Sequence, residues 1–412
     1  MGSEWTEEGP NAGAAGEAEE WPSAEGGAEE GEEEGEDDGV DESIVVIIDN
    51  GSGVCKAGLS TDSAPSLVFP EIIGRPRGPW KAAGGMKDTY FGDEVNAVRG
   101  KVSIGCPLEN GIVEDFQSME LLWEYTFAAL GVEPSRHPVL LTEPPYNPKP
   151  NREQMVEIMF ETFGVPSLNI SIQGVLALLG QGRTTGLVLD SGEGVTHTIP
   201  IFDGFGLPHC INRLDLAGRE LNTLLAKLLA QEGTCLTTTE EQHSVRQMKE
   251  QLCYVALDPT SEFAEAKDFR LPGNRGTVSL TNERWQCPEA LFNPGLVGLE
   301  SMGVAGLVWE SISNCSIDTR RTLLSNVVLS GGSTMFPGFA ERLAKELRGY
   351  APAASQAGIR VLQSKDPKSA VWTGGQVFAN LRSMQEDLWM SIEDYDEYGA
   401  SLIHDKIAVK YS

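Results

Sequence analysis

No two of the seven cysteines form a C-x-x-C pair, and their number is odd; they stand scattered at positions 55, 106, 210, 235, 253, 287 and 315. Reduced thiols of the cytosol or nucleus fit that better than a disulfide framework does. The five histidines fall at no zinc-like spacing with them. No apolar run reaches the roughly 18 residues that a spanning helix needs, and the longest β-branched run, 44–48, is far too short. A secretory signal pattern is missing. So is any G-x-x-x-x-G-K-[ST] loop, which excludes a P-loop of that type. No fixed repeat of solenoid length appears.

Basic residues are absent from positions 1–43, which hold 17 of the chain's 61 acids. The formal charge of −30 therefore overstates the rest: the remaining 44 acids face 31 bases, near −13. A body of that sign disfavours nucleic acid as a direct ligand, since phosphate backbones need a Lys/Arg surface. Residues 1–43 are rich in Glu, Gly and Ala. They bury too little apolar surface to offset chain entropy and are expected to be disordered. The arm reads either as a solvating tail or as a charged segment that binds a basic partner or tunes assembly. Met1, Gly2 and Thr6 fit a loose N-myristoylation pattern, but an acidic arm is repelled by anionic lipid, so no membrane association is expected.

What the chain does have is a loop written twice. IIDNGSG at 47–53 returns as VLDSGEG at 188–194. Each copy is an apolar run, an Asp, a small polar residue and glycines two apart. The pattern suits a strand, a tight turn and backbone that can approach phosphate. Strands are expected at 44–48, 64–70, 186–189, 198–202 and 326–329. Helices are expected at 119–130, 152–163, 214–231, 240–254, 338–348 and 370–381. Residues 75–87, dense in Gly, Pro and Lys, read as an exposed mobile loop, and 258–272 as polar and irregular. Strands and helices alternate, so the class is α/β. A chain of 412 residues calls for at least two lobes.

Two such loops suggest two half-molecules gripping one nucleotide. Glycines let successive backbone N–H groups form an anion nest. Lys56, just past the first loop, can add a point charge to a phosphate. Asp49 and Asp190 supply one carboxylate from each half, which suits a Mg²⁺ that keeps its waters. A third turn, Gly331-Gly332, follows the strand at 326–329. Gln173 reads either as a core amide bonded to backbone or as a group that orients an attacking water, since phosphoryl transfer rests on positioning. His197 reads either as a packed histidine or as a polar neighbour of that same water.

At these residues the chain resembles actin and the actin-related proteins, over 45–404. The segments that carry the resemblance are DNGSGVCKAG (49–58), GRPR (74–77), LLTEP (140–144), GRTTGLVLDSG (182–192), RLDLAGR (213–219), LCYVALD (252–258) and VLSGGSTMFPG (328–338). The resemblance implies a two-lobed, four-subdomain actin-like ATPase fold holding ATP or ADP and a divalent ion, Mg²⁺ or Ca²⁺, in a central cleft. It implies that Gly51, Ser52, Gly53, Val54 and Lys56 bind phosphates from one lobe and Gly192, Glu193, Gly194 and Val195 from the other. Asp49, Gln173 and Asp190 would surround the metal and its waters. Lys249 and Glu250 would lie on the ribose and base side. Gly331, Gly332, Ser333, Met335, Phe336 and Lys368 would close over the adenosine. Gln173, His197 and Asp190 would serve hydrolysis, which the resemblance implies is slow and conformational in purpose.

The departures are specific. Glu193 stands where the family usually has Asp, which leaves the hydrolysis rate open. Phe336 replaces a usual Tyr, and the loop at 75–87 is a residue shorter with a Trp80-Lys81-Ala82-Ala83 tip. The expected organisation is an acidic extension at 1–43, a first lobe at 44–182, a second lobe at 183–368, and a C-terminal segment at 369–412 that returns to the first. The implied role is a cytoplasmic, cytoskeletal ATP-binding protein. It would form filaments with like subunits or work with actin, actin-related proteins and actin-binding proteins. The alternatives are a non-polymerising subunit of a nuclear chromatin-remodelling complex and, more remotely, a sugar kinase or chaperone-type ATPase.

Overall fold

A computed structural model of the chain describes residues 44–407 apart from 84 and 383–385. The acidic arm, with its disorder and lipidation readings, and residues 408–412 lie outside the described residues.

The apolar run that opens the described chain becomes the strand Val46–Asn50, buried along its whole length. Burial on both faces explains why its sequence is continuous rather than alternating. It pairs antiparallel with Val54–Leu59 on one side and parallel with Val139–Glu143 on the other. The complete sheet runs Met390–Ser391, Ser167–Ile172, Val139–Glu143, Val46–Asn50, Val54–Leu59, Leu67–Pro70. The second sheet runs Phe205–Gly206, Thr196–Phe202, Gly186–Ser191, Val327–Ser330, Val361–Gln363, and Asn212–Leu214 also pairs with Thr196–Phe202. Its plan copies the first. Gly186–Ser191 pairs antiparallel with the next strand in sequence and parallel with Val327–Ser330. The written repeat is therefore a repeat of topology: Asp49 stands opposite Lys56, and Asp190 opposite His197.

Two helices lie between the sheets, Gln173–Leu179 and Ala370–Asn380. They cross at glycine. A Cβ on Gly374 would stand 1.7 Å from the Leu176 carbonyl oxygen, and one on Gly180 would stand 3.0 Å from the Ala370 carbonyl oxygen. Around the crossing, Ile47 and Leu140 of the first sheet and Val188, Ile199 and Val328 of the second share one apolar core with Val45, Trp372 and Phe378. Each sheet has a further core on its outer side. The first gathers Trp123 and Phe127 from the helix Phe116–Leu130, capped at its start by Asp115. The second gathers Leu221, Leu225 and Leu229 from Gly218–Gln231.

A buried polar cluster ties the end of the described chain to the first sheet. The Arg152 guanidinium donates to both carboxylate oxygens of Glu143 at 2.6–3.0 Å, and each side chain is only 1% exposed. Arg152 Nη1 also lies 2.9 Å from His404 Nδ1, and His404 Nε2 lies 2.7 Å from Glu153 Oε1. Arginine can only donate, so Nδ1 accepts and the Nε2–H donates to Glu153.

Several elements differ from the sequence expectation. Residues 75–87 are not an irregular loop: the strand Ile73–Pro76 runs into them and Gly78–Ala83 is helical. Pro79 sits at the start of that helix, where a missing N–H costs nothing, so the proline initiates rather than breaks it. Within 258–272, Lys267–Arg270 pairs with Thr277–Leu280 as a hairpin. The helix expected at 152–163 is α-helical only over Lys149–Glu157 and continues as a π turn, Ile158–Thr162. Leu214 ends a strand, and the helix after it begins at Gly218.

Candidate functional site

Both Asp-bearing strands end at the same cavity. In the first loop, Asp49 is buried and fully engaged. Lys56 Nζ donates to its Oδ2 at 2.8 Å and Thr142 Oγ1 to its Oδ1 at 2.8 Å. Burial disfavours the Lys56 ammonium, but the Asp49 carboxylate against it outweighs that and leaves its pKa raised. Gln173, the first residue of its helix, reaches across. Its Nε2 donates to the Asn50 carbonyl oxygen at 3.2 Å and lies 3.5 Å from Asp49 Oδ1. The amide thus bonds backbone and lines the cavity at once.

The second loop is fastened by hydroxyls. Ser191 Oγ and Thr196 Oγ1 are 2.7 Å apart, and the Gly192 N–H donates to the Val195 carbonyl oxygen at 3.2 Å. The Gly192 carbonyl oxygen accepts from Ser333 Oγ at 2.7 Å, which joins the third loop to the second. Gly331 has φ 85°, and a Cβ there would stand 2.2 Å from the Ser191 carbonyl oxygen, so the turn requires glycine. Asp190 is half-buried at the cavity wall, and desolvation by the surrounding protein raises its carboxyl pKa, with the charge of Asp49 adding to it. Glu193 brings the two phosphate-loop candidates into contact. A Cβ on Gly53 would lie 2.8 Å from the Glu193 Cβ and 3.0 Å from its Cγ. The Glu193 carboxylate extends toward the second half of the molecule, with Asn222 Nδ2 donating to its Oε1 at 3.4 Å.

The cavity enclosed by these loops has a volume of about 250 Å³. Every site residue named from the sequence lines it except His197. Gly192 and Gly332 present bare backbone, since a Cβ on either would meet no atom within 4 Å. Lys249 donates from Nζ to the Gly218 carbonyl oxygen at 2.7 Å; burial lowers its pKa, partly opposed by Glu193. Phe336 is buried beside the third loop and Met335 is 44% exposed. Among the described residues no three His, Cys, Asp or Glu side chains cluster as metal ligands. Asp49 and Asp190 remain the carboxylates of the two opposed loops, a donor set suited to a hydrated divalent ion and not to a directly ligated one.

His197 lies one strand behind Asp190, inside the sheet. Burial, with Arg213 adding to it, lowers its pKa to about 3, and its Nε2 has no hydrogen-bond partner. Five residues that sequence reasoning missed also line the cavity: Gly111, Pro144, Arg246, Ser330 and Val371. Arg246 was within reach of the pattern, because it stands one helical turn before Lys249 and Glu250 on Thr239–Leu252. Gly111 was signalled by the Asn110-Gly111 dipeptide, whose φ values of 52° and 86° make a tight hairpin turn.

Two sheets of one plan, each turning the loop after its Asp-bearing strand onto a common cavity, define an α/β protein with a duplicated strand–loop unit around one cleft. The family model for actin matches residues 40–408, and the chain belongs to the actin family. Its mixed sheets and helices have the architecture of the actin ATPase fold. No helix among the described residues is long and apolar enough to cross a membrane.

Proposed function

We propose that the protein binds ATP and a divalent cation in this cleft, and that the bound nucleotide biases cleft closure and, through it, assembly. The observation that carries the reading is the convergence of three glycine turns, with Lys56, Asp49 and Asp190, on one cavity. The backbone of Gly51–Val54 and Gly192–Val195 would cradle the phosphates, with Lys56 adding charge. The ion, once bound, would neutralise phosphate charge, and Asp49 and Asp190 would hold its waters. Gln173 would orient water, with neutral His197 behind it. Lys249, Glu250, Phe336 and Lys368 would hold the nucleoside end. Hydrolysis would be slow and would serve to change conformation. The assembled partners would be like subunits, or actin and actin-related proteins with their binding proteins, in the cytoplasmic cytoskeleton. A two-lobed cleft of this kind couples ligand to shape because closure brings both loops onto one ligand.

Thermal unfolding with ATP and Mg²⁺ or Ca²⁺ tests the cleft. The melting temperature should rise, and Asp190→Ala should abolish the gain. If ATP gives the unaltered chain no stabilisation, the assignment is wrong. Pelleting in salt and Mg²⁺, with and without residues 1–43, tests assembly. Failure of both forms to pellet would remove self-polymerisation and leave the complex-subunit role.

A further inference from the structure

The first loop is backed by a carboxyl group that the proposed chemistry does not use. Glu71 is 1% exposed. It follows the strand Leu67–Pro70, where Pro70 stands opposite Val54, and this register sets Glu71 beside Gly53. Its backbone N–H donates to the Gly53 carbonyl oxygen at 3.4 Å. Its Oε1 accepts from Asn50 Nδ2 at 3.1 Å, while the other side of that amide, Asn50 Oδ1, accepts from Trp123 Nε1 at 3.1 Å. Glu71 Oε2 is buried with no partner.

The carboxyl is buried with one oxygen unpaired, a setting in which its charged form carries a desolvation cost. Burial pushes its pKa well up and Asp49 adds to this, against the hydrogen bond from Asn50 and the charge of Lys56. An apolar side chain could fill the space without that cost, so the carboxyl has a use that packing alone does not require. Asn50 and Gly53 bracket Gly51 and Ser52, and Glu71 bonds both. The second loop is fastened instead by the Ser191 and Thr196 hydroxyls.

We propose that Glu71 is a positioning residue for the first phosphate loop: through Asn50 and Gly53 it fixes both ends of the turn that receives the β- and γ-phosphates. This rests on the ATP-cleft reading. The test is the affinity of the full-length protein for Mg·ADP and for AMP, each measured by competition against a fluorescent ADP analogue. AMP lacks the phosphates that the turn would hold, so a merely structural defect weakens both ligands together. Glu71→Ala should weaken ADP by about fivefold to tenfold, the worth of one lost hydrogen bond of loop order, with AMP unchanged. Glu71→Asp, whose shorter stem withdraws the acceptor from Asn50, should do the same and serves if the alanine variant does not fold. Glu71→Gln, a neutral isostere, should restore the preference for ADP. Loss of ADP and AMP in step, an unchanged ratio in both the Ala and Asp variants, or a Gln variant that behaves as they do would each overturn the inference while leaving the cleft intact. Absence of ADP binding by the unaltered protein would sink the cleft reading and this inference with it.

Discussion

His197 gives a stability prediction whose size follows from its surroundings. The imidazole sits in the second sheet, 2% exposed, with Arg213 and Asp215 as the charged groups nearby, and its pKa falls to about 3. In the unfolded chain it should titrate near the ordinary value of about 6.5. Below that value the unfolded state takes up a proton that the folded state refuses, so stability falls as the pH drops. The loss begins near the unfolded pKa and continues at about 1.4 kcal/mol per pH unit until the folded pKa is reached. Between pH 7 and pH 5 it amounts to about 2 kcal/mol. The assay is urea unfolding of the wild type and of His197→Gln at both pH values. The variant carries its own packing cost, but that offset cancels when the two pH values are subtracted. The expected result is a wild-type stability that falls about 2 kcal/mol further than the variant's from pH 7 to pH 5. A pH-independent difference between the two proteins would mean that the imidazole takes up its proton in the fold, and the neutral role assigned to it in hydrolysis would go as well.

Arg152→Ala should cost about 3–5 kcal/mol in equilibrium unfolding, because it strands a buried Glu143 carboxylate and removes a partner of His404. A cost below about 1 kcal/mol would mean that the pair is solvated in solution. Gly374→Ala should cost about 3 kcal/mol or more, since the atom met at 1.7 Å is helix backbone and cannot rotate away. Gly349→Ala, in the helix Phe339–Tyr350 and facing open space, should stabilise by about 0.5–1 kcal/mol in the same assay. Equal effects at both glycines would contradict the close crossing.

The doubled loop was legible because its chemistry is local. A buried strand, a turning glycine and a carboxylate at fixed spacing are all written within seven residues, and Asp49 and Asp190 came to one cavity as that spacing implied. Long-range placement was less legible. Glu71 follows a proline and precedes Ile72 and Ile73, a context that reads as the end of a strand. Only the register Val54 to Pro70 puts it behind Gly53. His197 was read by its distance from the loop in sequence, but alternation along Thr196–Phe202 and the pairing with Arg213 turn it into the sheet. The hairpin Lys267–Arg270 with Thr277–Leu280 escaped because its strands are polar on one face and their apolar residues, Phe269, Val278 and Leu280, are few. The helix at Gly78–Ala83 was hidden by composition, since Gly and Pro signal a loop unless proline falls at a helix start.

The strand order has a consequence for how the chain is made. The second sheet is drawn from one uninterrupted stretch, Gly186 to Gln363, whereas the first needs residues 46–172 and then Met390–Ser391 from near the other end. Synthesis runs from the N-terminus, and domains generally fold as units while it proceeds. The half that begins first must therefore finish last. Until translation delivers Met390 and Ser391, the edge of Ser167–Ile172 stays unpaired and Glu143 has Arg152 but no His404 behind it. A nascent chain of this protein carries an open sheet edge through the whole production of its second half, the interval in which edge-to-edge aggregation threatens.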